Sequence, residues 1–370
     1  MPISLLSGLS VFTQIEINPR GRGQEANIPV FHIGTYIEAF QRKKSIKEAT
    51  IMKLSSFFQW DPNIHIYRKM GRKACFCYIS MLGNLYYLLK RQEKSLIQEA
   101  IGGLFAKRRG EADMEKLSRS VFQGIFSHYY EKIVNAYGPL DELQRFFWRC
   151  MDEEGLKKLN PIIERGKGVL FVTGHYGGIE YIPFYLAMKG YPVTALGKFS
   201  TNRLRDAIFS RGQTLGLRIL DGDSKSGVFP AIIKELRQNR IVFTQCDEID
   251  EWKPSRKERV SFLGKSIGVD RTINLIKKRS GSGVVLGLLH RQSLTKYRFV
   301  IKTPDEIEKD LNSPASSLGG LLIKGLEQFI YSFPQNWYQW KKYAEMRGHL
   351  PPRWGDVPSF EPSMLRPVFN

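Results

Sequence analysis

The sequence predicts an α/β fold, a mixed and largely parallel central sheet flanked by helices, behind a helical N-terminal part. Two observations predict it. From Gly168 to about residue 300, short apolar β-branched runs alternate with helical stretches, the pattern of strands joined by helical crossovers. Upstream, from Ile66 to about Lys158, the apolar period is helical: Met114, Leu117, Val121, Ile125, Tyr129 and Ile133 recur at spacings of three and four and form one stripe for core packing.

Four segments follow in order. Residues 1–60 carry Pro2, Pro19, Pro29, the Gly21-Arg22-Gly23 turn and the basic Arg42-Lys43-Lys44, with little sustained periodicity, and read as an extension. Residues 61–160 are the helical part. Its longest uncharged run, Ala74 to Leu89 between Lys73 and Lys90, falls short of the ~20 apolar residues of a spanning helix. That run suits either a membrane interface, with tyrosines and flanking lysines, or a buried helix of the core.

Residues 161–350 are the α/β core. Gly168 to Gly174 is a buried strand that ends immediately before His175. Tyr181–Lys189 is a helix closed by Gly190, Pro192–Leu196 a strand, Asn202–Thr214 a helix, Leu217–Leu220 a strand, Val228–Arg237 a helix and Ile241–Gln245 a strand. Asp270–Arg279 is helical and Gly283–His290 is a further strand; residues 351–370 form a tail. Ligands of such sheets bind beyond the carboxyl ends of the strands, where His175 sits.

With 370 residues, 42% hydrophobic and 25% charged, the chain has the composition of a globular protein with a sizeable core. Its 56 Lys and Arg against 36 Asp and Glu give a net charge of +20, which predicts an anionic partner: nucleic acid, anionic lipid or an acidic carrier protein. Four irregularly placed cysteines, Cys75, Cys77, Cys150 and Cys246, exclude a disulfide framework and a CxxC metal pair and point to a reducing cytoplasm. Met1 to Ile17 has no basic region ahead of its apolar residues, so no signal peptide is expected.

His175 and Glu180 are the candidate catalytic pair. Five apart on a continuous helix they would be separated by about 140°. With His175 in the turn and Glu180 in the first helical turn, Gly177 and Gly178 let the carboxylate reach an imidazole nitrogen, fix the tautomer and raise the basicity of the other nitrogen. A helix N-terminus also offers amide donors to developing negative charge. His-x4-Glu is by itself a common spacing.

Context makes it specific. The stretch Gly166 to Glu180 (GKGVLFVTGHYGGIE) resembles, in strand and residues, the His-x4-Asp/Glu block of the lipid A biosynthesis acyltransferases of lauroyl or myristoyl type, within the lysophospholipid-acyltransferase-like superfamily. Ser210-Arg211-Gly212 resembles their arginine segment, Phe243 to Asp247 a strand ending in aspartate, Ser261 to Gly264 an aromatic-glycine turn, and Phe333 to Lys342 the closing Pro-x-x-Trp segment. The ordered blocks span about residues 70–342.

The resemblance implies a glycerol-phosphate-acyltransferase-like fold. It also implies transfer of an acyl chain from acyl carrier protein or coenzyme A to a hydroxyl of a membrane glycolipid of lipopolysaccharide, with His175 as base, Glu180 as orienting carboxylate, and Arg211 and Asp247 as supporting residues. No cofactor or metal is expected beyond the thioester donor. Acyl carrier protein and membrane lipids are the expected partners, at the cytoplasmic face of the inner membrane, and nucleic acid is not. Two departures stand out: the family's N-terminal transmembrane anchor is not recognised, which favours peripheral attachment, and the acidic run Asp247 to Glu251 leaves open which carboxylate matches, with Asp247 chosen because it directly follows the strand.

Lys253 to Arg279 carries nine Lys or Arg, Lys265 and Arg279 among them, against Glu258 and Asp270, a local balance of +7. That patch suits a carrier protein, anionic headgroups, or plain solvation. Arg211 has the alternative of bracing a helix end, and Asp247 that of capping a turn. Trp337 and Trp340 are expected on one helix, packing. Gly264-Lys265-Ser266 is not a phosphate loop, because position 259 is Arg where the motif needs glycine, and no Gly-x-Ser-x-Gly elbow exists. The remaining histidines, His32, His65, His128, His290 and His349, show no metal spacing. Two rival functions use other logic: thioester hydrolysis at the same site, and a non-catalytic basic protein that binds membranes or nucleic acid.

Overall fold

Helices come first, as the 3.6-residue apolar period demands. A computed structural model describes residues 54–106, 110–199, 201–222, 227–248, 254–312 and 317–346; most of the 1–60 extension and the 351–370 tail lie outside them. The leading elements are α1 (Leu54–Phe58), α2 (Asp61–Lys69), α3 (Arg72–Leu89), α4 (Arg91–Phe105), α5 (Glu111–Tyr137) and α6 (Leu140–Cys150). Helix starts before residue 61 because Leu54 and Phe58 are buried, in an element too short to show a period. The second half of α5 is buried almost all round, including Ser127, His128, Glu131 and Asn135. Polar groups so placed need partners, and they find them at the site.

The sheet comprises β1 (Met151–Asp152), β2 (Val169–Thr173), β3 (Val193–Gly197), β4 (Arg218–Asp221), β5 (Ile241–Gln245), β8 (Gly283–Ser293) and β9 (Lys296–Lys302), with β6 (Pro254–Phe262) and β7 (Lys265–Asp270) forming a separate antiparallel hairpin. The order is β1-β9-β8-β2-β5-β3-β4; only β8 and β9 pair antiparallel. β2, in the middle, is buried at every residue, which is why its sequence is continuously apolar. The remaining helices are α7 (Asn160–Ile163), α8 (Ile182–Met188), α9 (Asn202–Thr214), α10 (Val228–Arg237), α11 (Thr272–Ser280), α12 (Pro304–Leu311), α13 (Leu318–Ser332) and α14 (Trp340–Glu345).

The α/β reading holds, and two local expectations change, at the start of α11 and at Trp337. α11 begins at Thr272 because Asp270 still pairs in the hairpin and accepts the Thr272 amide at 2.8 Å. The Ser261–Gly264 block does hold a turn: Ser261 and Phe262 close β6, and Leu263 and Gly264, both at positive φ, make the tight turn of the hairpin. Trp337 and Trp340 do not share a helix: a 3-10 turn over Pro334–Asn336 ends before Trp337, and Trp340 opens α14. Among the described residues no helix is long and apolar enough to cross a membrane.

Candidate active site

The register of two parallel strands builds the site. Thr173 of β2 lies beside Gln245 of β5, and the Cys246 amide donates to the Thr173 carbonyl at 2.8 Å. Two residues past each strand end stand His175 and Asp247. Asp247 Oδ2 accepts the His175 backbone N–H at 2.9 Å, and Oδ1 lies 2.9 Å from the imidazole Nδ1. The Trp337 indole donates to Oδ2 at 2.8 Å. The carboxylate is buried and satisfied by these three donors, as a buried charge must be.

The other imidazole nitrogen is also engaged. Nε2 lies 2.9 Å from Glu248 Oε1, while Lys342 Nζ holds Glu248 Oε2 at 2.6 Å. Burial pushes the His175 pKa down, but Asp247 and Glu248 outweigh it and hold it up at about 9. Burial likewise favours the neutral form of Glu248, yet the bond to His175, with Lys342 behind it, brings that carboxyl down to about 2. At neutral pH the ring is an imidazolium clamped between two carboxylates. Asp250 and Glu251 lie outside the described residues.

The turn after β2 needs its glycines for packing. Gly177 has φ +55°, and a Cβ there would stand 2.0 Å from the Leu289 carbonyl oxygen. Its amide donates to Asn336 O at 2.8 Å and that of Gly178 to Leu289 O at 2.9 Å. These two amides are therefore spent on structure, contrary to the expectation of free donors at this turn. Arg291 Nη2 donates to Gly177 O at 2.7 Å and grips Glu131 of α5 at 2.5 and 2.9 Å; Tyr297 adds a bond to Glu131 at 2.9 Å. This buried network ties the His175 turn to α5.

Glu180 does not touch His175. The residues after Gly178 wind into a 3-10 turn against α5, so the Glu180 carboxylate meets Lys132 Nζ at 3.0 Å and approaches His128 Nδ1 at 3.7 Å. Its backbone carbonyl accepts from Asn135 at 2.9 Å. Asp247, placed by the resemblance among supporting residues, occupies the orienting position at Nδ1. His128 is kept neutral by burial and by the charges of Lys132, His175 and Arg291. It stacks on Tyr338 at 3.6 Å between centroids, and Tyr338 meets the His175 ring edge-on at 5.2 Å.

The other expected residues lie elsewhere. Arg211 donates to the carbonyls of Asn135, at 2.5 Å, and Gly138, so it braces the C-terminal end of α5. Lys265 donates to the carbonyls of Tyr343 at 2.5 Å and Met346 at 3.1 Å, at the end of α14. The Arg279 guanidinium lies 5.9 Å from the Phe229 ring centroid, in exposed company with Arg271, Lys277 and Lys278. His290 is a satisfied core residue: burial and the neighbouring Arg291 and Arg298 bring its pKa down to about 4, and Nδ1 accepts from Tyr176 at 2.8 Å.

His175 opens on a cleft of about 820 Å³, of the size that binds small ligands. Its polar lining includes His175, Glu248, Glu180, Lys132, Lys341 and Lys342; its apolar lining includes Leu196, Leu204, Ile208, Ile219 and Phe243 from β3, α9, β4 and β5, and Phe199 just after β3. Arg211, Lys265 and Arg279 are not among its walls. Sequence reasoning passed over Tyr338, Lys132 and the indole of Trp337, and left Glu248 among the alternatives to Asp247; for Trp337 a signal existed in the Pro-x-x-Trp block, read only as packing. The arrangement can exchange a proton at Nε2 beside a space that takes a long apolar group. A sequence profile described as bacterial lipid A biosynthesis acyltransferase matches residues 65–342. A search of curated proteins finds no match.

Proposed function

The chain belongs to the bacterial lipid A biosynthesis acyltransferase family and is an acyltransferase, and from that premise we propose that it moves a fatty acyl chain from a carrier-protein or coenzyme A thioester to a hydroxyl of a lipid A precursor, with His175 as general base. The observation that carries this reading is the His175–Asp247 pair set on a cleft with both polar and apolar walls. Asp247 fixes the proton on Nδ1 and leaves Nε2 for chemistry. As the acceptor hydroxyl arrives Glu248 gives up Nε2 and stays on Lys342; without that carboxylate the ring's pKa falls and the Nε2 proton leaves to solvent, so Nε2 is free to accept. The hydroxyl proton passes to Nε2 while its oxygen bonds the thioester carbon; the C–S bond then breaks, and the thiolate takes the proton back from the imidazolium. The apolar wall holds the acyl chain, and orientation of two bulky substrates supplies much of the rate.

Exposed cations of the 253–279 patch, Arg279 among them, are the proposed seat of an acidic carrier protein, and attachment to the cytoplasmic face of the inner membrane is peripheral. Purified protein given acyl thioester and lipid A precursor is expected to yield a product heavier by one acyl chain in mass spectrometry. His175→Ala is expected to abolish it with unchanged circular dichroism. Product formation at near wild-type rate by that variant sinks the assignment, and free fatty acid without an acylated lipid would establish hydrolysis instead.

A further inference from the structure

We propose that the solvent-facing side of α3 is the surface that seats this protein on an anionic lipid bilayer. The proposal rests on the acceptor being a membrane lipid. One face of α3, with Cys75, Ile79, Leu82, Tyr86 and Tyr87, is buried, as a core helix requires. The opposite face is apolar as well: Met81 is 56% exposed, Leu85 46%, Leu88 61% and Leu89 75%. At 100° per residue these four, with the exposed Ala74 and Cys77, fall within an arc of about 120°.

Single exposed leucines are ordinary; a contiguous stripe is not. Of the eight large hydrophobics most exposed among the described residues, four lie on this one face, so the exposure is concentrated rather than scattered. Charge says what covers it. Between Asp61 and Glu93 there is no acidic residue, while Arg68, Lys69, Arg72, Lys73, Lys90 and Arg91 supply six cations. Lys73 and the Lys90-Arg91 pair bracket the stripe, where their heads reach anionic headgroups as the leucines enter the acyl boundary. A helix of 18 residues lying in the plane spans about 27 Å of that boundary.

The seat is also in the right place. Tyr87, on the inner side of α3, lines both the catalytic cleft and the groove that runs between Met81 and Leu88 of α3 and Phe122 of α5. One helix diameter, ~10 Å, therefore separates the bilayer face from the cleft wall. A lipid acceptor needs to rise only a short way to reach His175.

The test uses the full chain and flotation with vesicles of phosphatidylcholine alone or with phosphatidylglycerol. Wild type is expected to float with the anionic vesicles, and the Leu85→Glu/Leu88→Glu double variant to lose at least tenfold in bound fraction. The variant should acylate acceptor in detergent micelles at the wild-type rate and acceptor in vesicles at least tenfold more slowly. Equal flotation of variant and wild type overturns the proposal, as does a wild type that stays in solution. A wild type that sediments as a dimer and a variant that sediments as a monomer assign the face to a second copy and overturn it too. Should neither protein transfer acyl chains in micelles, the catalytic reading falls, and flotation still decides the surface.

Discussion

Replacing Glu248 with Gln is expected to move the acid limb of the pH–rate profile downward. In the free enzyme Nε2 of His175 is bonded to an ionised carboxylate at 2.9 Å, and the ring is held at about 9 against an ordinary value near 6.5. Glutamine keeps the shape and an acceptor oxygen but removes the charge. A bond to a charged group is worth about 1.5–3 kcal/mol against about 1 for a neutral one, so the imidazolium loses roughly 0.5–2 kcal/mol of support. At 1.36 kcal/mol per pKa unit the His175 pKa falls by about 0.4 to 1.5, to roughly 7.5–8.6. Thiol release from an acyl thioester, followed as kcat/KM from pH 6 to 10, reads the free enzyme's pKa directly. At pH 7 the variant's rate relative to wild type should exceed the ratio at pH 10 by about two- to twentyfold. Glu180→Gln is the control, because its carboxylate sits on Lys132 and its limb should stay put. An unmoved or rising limb in Glu248→Gln, or an equal shift in Glu180→Gln, would refute the reasoning.

Two further outcomes follow from the same geometry. His175 titrates at about 9 in the folded chain and near 6.5 unfolded, so its contribution is complete below pH 6.5 and is lost as pH rises to 9; a decline of about 3 kcal/mol is expected over that window, read as a falling urea midpoint that His175→Gln lacks. Arg211→Met removes the donor to the Asn135 and Gly138 carbonyls and should cost about 1–3 kcal/mol of stability with KM unchanged; a raised KM at constant stability would return Arg211 to the substrate.

Much of the core was legible locally. Asn202–Thr214, Val228–Arg237 and Ile241–Gln245 fall in the structure where the alternation of helical stretches and apolar β-branched runs put them, because their signals lie within a few residues. The site was legible only in part, because it is made by register. His175 meets Asp247 since β2 and β5 pair with Thr173 beside Gln245, and strand order is not written in either strand. Glu180 illustrates the converse. Its spacing from His175 suggested a partner, but the competing partner, Lys132, lies on a helix far away in sequence. A trace of that helix's role was present: His128, Lys132 and Asn135, polar at steps of four and three, run beside the apolar stripe of α5, a second face with work besides packing.

The clamp on His175 bears on transfer against hydrolysis, which would use the same nitrogen. A ring held at about 9 is protonated at neutral pH and cannot accept a proton from water. In the proposed mechanism it becomes a base when something displaces Glu248 from Nε2, because the ring's pKa then falls and the Nε2 proton leaves to solvent; Lys342, already at 2.6 Å from the other oxygen, keeps the released carboxylate charged and in place. Water is small and has little binding energy with which to break a charge-assisted bond. A lipid acceptor has a great deal, drawn from parts remote from the reacting hydroxyl, and can spend it on that displacement. On this reading Glu248 ties the basicity of His175 to the presence of acceptor, so the thioester in the cleft is spared until the lipid arrives.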